Sequence, residues 1–254
     1  MVAGDPVTRR AVGLRAEEGE GPTLVCLHGA AEDRHAFDRL IDALPGVRRV
    51  SFDRPGRLET EGTPSATLAG HTAFTRTFLE TAVEGDYVLV GHSLGGGVAL
   101  ELALTAHPKG LRGVVLISTG ARLRVHPAIL ALFARLSATR SEAGPTPGLF
   151  SPNTDPSVIT EVTKMLRTTP AATGLADWTA ANEFDRLEDV CRLPVPALVV
   201  CGSEDALTPP KYAEYLSMQI PVSTRVVIDG AGHMVLVEQP TQLATAIRAF
   251  LGTL

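Results

Sequence analysis

Three residue types, spread along the chain, can together carry out acyl transfer. Ser93 stands in "VLVGHSLGGGVAL" (88–100), behind an apolar run and between Gly91 and Gly95. His233 stands in "DGAGHMVLVEQP" and two neighbouring carboxylates, Glu204 and Asp205, stand in "CGSEDALTPP". A serine hydroxyl is a poor nucleophile at neutral pH and needs a base within hydrogen-bond reach. An imidazole is such a base, and a carboxylate behind it fixes the tautomer and stabilises the imidazolium. Ser93 and His233 fill the first two roles, with Asp205 or Glu204 for the third.

The elements that must position these residues follow from hydrophobic pattern. Five short, nearly continuous apolar runs lead into glycine, serine or aspartate, at 23–29, 48–56, 87–93, 113–119 and 197–205, and a sixth, 224–233, belongs with them. Runs of that kind fit strands buried on both faces, hence a parallel sheet. Segments of helical period separate them, at 33–44, 66–83, 94–107, 210–220 and 240–251. Alternation of strand and helix predicts right-handed crossovers and a sheet covered on both sides. The opening "VTRRAVGLRAEEG" (7–19) reads as one or two edge strands. Residues 120–192 break the rhythm, holding helical runs and a Pro/Gly/Ser-rich stretch but no strand signal. A long insertion at the carboxyl edge of such a sheet is expected to be a lid over a ligand site.

In this setting Ser93 ends a buried strand and starts a helix. The turn predicts a positive φ at Ser93, with small neighbours where strand and helix cross. It also aims the first N–H groups of the helix, at the positive end of its dipole, into the space beside the hydroxyl. Leu94 N–H is then one donor for an oxyanion. Ala30, which follows His28-Gly29 in "CLHGAAEDRHAF", supplies the other.

Composition narrows the function classes. The 254 residues carry a formal charge of −5 and no basic run, which argues against nucleic acid as a partner. The three cysteines, Cys26, Cys191 and Cys201, are too few and too widely spaced for a disulfide framework or a CxxC motif. No apolar stretch reads as a signal peptide or a membrane span, so a cytoplasmic protein is expected. The histidines are scattered, so no metal and no cofactor is expected.

Taken together, "LHGAA", "GHSLGG", "GSEDALTPP" and "GAGHMVLVEQP" resemble the α/β-hydrolase superfamily in order and spacing, over nearly the whole chain. The resemblance implies a mostly parallel eight-stranded sheet, with a core of 1–119 and 193–254 and a helical cap at 120–192. It also implies the order Ser93, Asp205, His233 and cofactor-free hydrolysis of a small-molecule ester or related acyl bond. It favours Asp205 over Glu204, and the loop "STGAR", where some relatives carry the acid, offers no carboxylate. Carboxylesterases and enol-lactonases are the subgroups it resembles most. Lactones, thioesters and C–C bonds are alternative targets for the same triad. A ligand receptor on this fold is the alternative of another class, although such proteins often lose a triad member and this chain keeps all three. One motif departs from the family: "DRPGRLETEG" stands where relatives often read D-x-P-G-x-G-x-S. That loop is expected to lie away from the triad and to leave the chemistry intact.

The remaining candidates concern substrate. Trp178 in the insertion, Met234 beside the histidine and His126 at the cap entrance are candidate substrate contacts. Arg122, Arg124 or Arg167 would have to point inward if the substrate bore a carboxylate. His28 and His92 are expected to pack beside the oxyanion positions, and His35, His71 and His107 to lie on the surface or be satisfied.

Overall fold

A computed structural model describes residues 12–106 and 108–254. Its centre is a sheet of seven strands among the described residues: β1 (Leu14–Glu17), β2 (Glu20–Leu27), β3 (Val47–Phe52), β4 (Tyr87–His92), β5 (Leu111–Ile117), β6 (Ala197–Gly202) and β7 (Ser223–Ile228). The spatial order is β1-β3-β2-β4-β5-β6-β7. Only β1 runs antiparallel, against β3. Of the expected eight strands, seven lie among the described residues. The predicted edge segment 7–19 yields β1 alone within the described residues, and its first part, 7–11, lies outside them. His107 lies outside them as well.

Every residue of β4 and β6 is buried, which explains their unbroken apolar runs. Alternate side chains go to opposite faces. Val88 and Val90 join one core cluster, while Leu89 joins the other. The helices that cover these faces are α1 (Asp38–Asp42), α2 (Leu68–Ala82), α3 (Leu94–Thr105), α7 (Pro210–Gln219), α8 (Val235–Glu238) and α9 (Pro240–Leu251). Between β5 and β6 the chain forms three more: α4 (Pro127–Thr139), α5 (Pro156–Thr168) and α6 (Ala171–Glu183). Two of these begin with proline directly after a side-chain cap, His126 for α4 and Asp155 for α5.

The strand order reverses beside β2. The chain moves outward from β2 to β3, then returns to place β4 on the other flank of β2. Such a reversal opens a crevice at the carboxyl ends of the two strands. Leu27 is in register with Gly91, so β2 and β4 end together there. The segments that follow them carry Ala30 and Ser93.

Candidate active site

Ser93 has φ 51° and ψ −117°, a left-handed conformation that few non-glycine residues adopt. Its backbone is held on both sides: Ser93 N–H donates to Ile117 O (2.9 Å), and Thr119 Oγ1 donates to Ser93 O (2.8 Å). The small neighbours are a steric requirement. A Cβ on Gly91 would lie 2.4 Å from Gly95 O, and one on Gly95 would lie 2.0 Å from Leu27 O. These are backbone atoms of the crossing elements and have little room to move away.

His233 lies in the loop between β7 and α8 and is 2% exposed. Its Nδ1 is 3.0 Å from both oxygens of Asp205. Asp205 also accepts from Leu207 N (2.9 Å), Thr208 N (2.8 Å) and Thr208 Oγ1 (2.8 Å). Burial alone would raise the Asp205 carboxyl. The His233 imidazole and the Thr208 donors outweigh it and hold the group below its ordinary value. With Nδ1 engaged by the carboxylate, Nε2 is the nitrogen left for proton exchange. Glu204 turns elsewhere and accepts from Ser151 Oγ.

Ser93 and His233 line one narrow cavity together with Ala30, Thr146, Leu149 and Trp178. Among the described residues no protein acceptor faces the N–H of Ala30 or of Leu94. Ala30 lines the cavity with Ser93, and Leu94 follows the serine directly.

Glu32 also lines the cavity and was not anticipated. It is 3% exposed, accepts from Gly29 N (2.7 Å), and receives His92 Nδ1 at 3.0 Å. His92 Nε2 in turn is 3.0 Å from the backbone carbonyl of His233. Both ring nitrogens of His92 thus face oxygen atoms, an arrangement that the doubly protonated imidazolium satisfies beside an ionised Glu32. Burial works against that charge, but Glu32 outweighs it and holds the imidazole above its ordinary value. The same partner holds Glu32 low against its own burial.

Two candidate substrate contacts are elsewhere. His126 is exposed, caps α4 by accepting from Ala128 N (3.2 Å), and does not line the cavity. Met234 is fully buried in the core below the loop and does not line it either. Trp178 does, packing against Phe133 with ring centroids 6.1 Å apart. Arg122, Arg124 and Arg167 are exposed and pair with Asp185, Asp185 and Glu142, so none of the three points inward.

The "DRPGRLETEG" loop does not lie apart from the site. It brings Arg54 and Arg57, both buried, against the turn that carries Ala30. His71 on α2 joins this buried group, its Nε2 without a hydrogen-bond partner among the described residues and 3.6 Å from Asp177. Burial, with Arg54 adding to it, lowers that imidazole to about 4.

The model of the alpha/beta hydrolase family matches residues 24–246 of this sequence. The chain belongs to that family. Among the relatives of this hydrolase is a pimeloyl-[acyl-carrier protein] methyl ester esterase of Neisseria meningitidis serogroup B, 30% identical over 89% of this chain and 91% of that one. An uncharacterized hydrolase of Bacillus subtilis is 27% identical over 90% and 89%. Among solved structures, a thermophilic esterase from Thermogutta terrifontis superposes with a TM-score of 0.83, at 27% identity over 96% of this chain and 94% of that one. The enol-lactonase of Burkholderia xenovorans LB400 shares the fold, with a TM-score of 0.85 at 20% identity over 96% and 97%.

Proposed function

We propose that this hydrolase cleaves small to medium carboxylic esters through an acyl-enzyme on Ser93. The observation that carries the reading is the His233–Asp205 bond, with His233 lining the same cavity as Ser93, which stands on its strained turn. His233 Nε2 takes the Ser93 proton as the hydroxyl oxygen attacks the ester carbonyl. The N–H groups of Ala30 and Leu94 receive the oxyanion, and Asp205 stabilises the imidazolium. His233 then gives its proton to the departing alkoxide, leaving the acyl group on Ser93 and releasing an alcohol. Water, deprotonated by the same imidazole, attacks the acyl carbonyl, and the carboxylic acid leaves as Ser93 recovers its proton.

Residues 120–192 act in this reading as the cap. Trp178 and Phe133, from α6 and α4, wall the cavity with apolar surface. That lining suits an acyl chain, and the named esterases among the relatives support the ester as the reacting group. The three free cysteines, Cys26 and Cys201 among them buried, fit a reducing compartment such as the cytoplasm.

Hydrolysis of a p-nitrophenyl ester series, acetate to decanoate, by wild type and Ser93→Ala tests the proposal. Turnover by wild type and its loss in the variant are expected, with the chain-length profile sizing the pocket. An unchanged rate in Ser93→Ala overturns the serine mechanism. A folded wild type that neither turns over any ester nor takes a fluorophosphonate label overturns the enzyme reading.

A further inference from the structure

The turn after β2, residues 29–32, carries the Ala30 donor and is held by three buried side chains that come from far along the chain. Arg54 Nη2 donates to Gly29 O (2.9 Å). Asp177 Oδ2 accepts from Ala31 N (2.9 Å), and Arg57 Nη1 donates to Glu32 O. Arg57 Nη2 lies 3.0 Å from each oxygen of Asp177, and both side chains are wholly buried. The groups on either side of Ala30 are thereby fixed, while its own N–H is left free.

This restraint acts where the backbone needs one. Ala31 has φ 60°, a left-handed conformation that a residue with a Cβ holds only when its surroundings impose it. The acceptor that imposes it, Asp177, belongs to α6 and is followed directly by Trp178, which walls the cavity. One carboxylate therefore joins the oxyanion turn to the wall of the substrate site.

We infer that the Arg57–Asp177 pair positions the oxyanion donor, fixing the Ala30 N–H through Ala31 and Glu32 and tying it to α6. The pair touches no reacting atom, so both are positioning residues, and their role rests on the acyl-transfer reading given above. The carboxylate is ionised for this purpose. Burial pushes Asp177 up, and Arg57 and Arg54 outweigh that and hold it below its ordinary value.

The test uses p-nitrophenyl butyrate as substrate and an alkyl trifluoromethyl ketone as a mimic of the tetrahedral adduct. Asp177→Ala releases the Ala31 N–H, and a misplacement of the donor by about 1 Å corresponds to a loss of about 100-fold. That loss is expected in kcat, with KM nearly unchanged and ketone affinity falling in parallel. Asp177→Asn keeps an acceptor for Ala31 and loses the charge, and is expected to fall between Ala and wild type. Removing one partner strands a buried charge and can unfold the chain. The double variant Arg57→Met/Asp177→Leu removes both charges together and is expected to fold with the same loss in kcat. A folded double variant with wild-type kcat and ketone affinity overturns the inference, as does a fall in Tm with no change in either. A wild type with no Ser93-dependent turnover would defeat the acyl-transfer reading itself, a result these variants cannot produce.

Discussion

The His92 imidazole donates through Nε2 to the backbone carbonyl of His233, 3.0 Å away, while its Nδ1 meets Glu32. The residue directly before the serine thus holds the loop that carries His233. Glu32 in turn accepts from Gly29 N, so the buried His92–Glu32 pair links the loop of His233 to the turn that carries Ala30.

The link has a pH signature. His92 titrates above its ordinary value of 6.5 in the folded chain, so its stabilisation is complete below 6.5 and fades as pH rises through the raised value. Glu32 titrates below its ordinary value of 4.5, so its share is complete above 4.5 and fades as pH falls through the lowered one. The pair contributes most between these two values. Tm measured against pH should show the wild type most stable relative to Glu32→Gln at mildly acidic pH, with the gap narrowing toward alkaline pH. A constant gap would contradict an ionised pair.

The two acidic neighbours on the loop after β6 should differ in effect. Asp205→Asn keeps the shape and gives the imidazole the wrong tautomer, with an expected loss in kcat of about 10⁴-fold. Glu204→Gln, whose carboxylate faces Ser151, should keep turnover close to wild type. Steady-state rates on p-nitrophenyl butyrate separate the two.

The turn at Ser93 should tolerate no added carbon at Gly95. Gly95→Ala would place a Cβ within 2.0 Å of Leu27 O and 2.7 Å of His28 O. Overpacking of this kind costs about 1–3 kcal/mol, and here the atoms that must yield are backbone. Gly252→Ala at the end of α9 meets nothing closer than 3.5 Å and should be near neutral. Urea unfolding of the two variants is the comparison.

Two buried polar atoms of residues that line the cavity, Thr146 Oγ1 and Trp178 Nε1, have no partner among the described residues. An unpaired buried donor costs about 1–3 kcal/mol, which a substrate acceptor can relieve. An ester with a carbonyl along its acyl chain should therefore be preferred to its plain analogue, by about tenfold in kcat/KM. p-Nitrophenyl levulinate against valerate gives the ratio, and Thr146→Val or Trp178→Phe should lower it. Equal rates in wild type would show that water satisfies these atoms.

The strands and helices were legible because each carries its own periodicity. The strand Ala197–Gly202 is buried on both faces and reads so, and α5, between β5 and β6, shows its amphipathic period within 13 residues. The serine turn was legible because close crossing demands glycine at fixed offsets. The buried ionic group was not. Arg57 and Asp177 stand 120 positions apart, and either alone reads as a solvated charge. Glu32 reads as the charge of an exposed loop, and only the fold sets it beneath His92. His126 reads as a substrate contact from its place at the cap entrance, yet it stands at a loop–helix boundary and caps α4.

The position of Asp177 limits how this protein can be recombined. The helices between β5 and β6 look like an exchangeable module, joined to the core at two points in sequence. One of them nevertheless supplies the acceptor for Ala31 N–H. A graft that swaps these helices for those of a relative would also swap out a strut of the core's own turn. Such chimeras should inherit a new pocket and a loosened one at once, unless the donor segment brings a carboxylate to the same place.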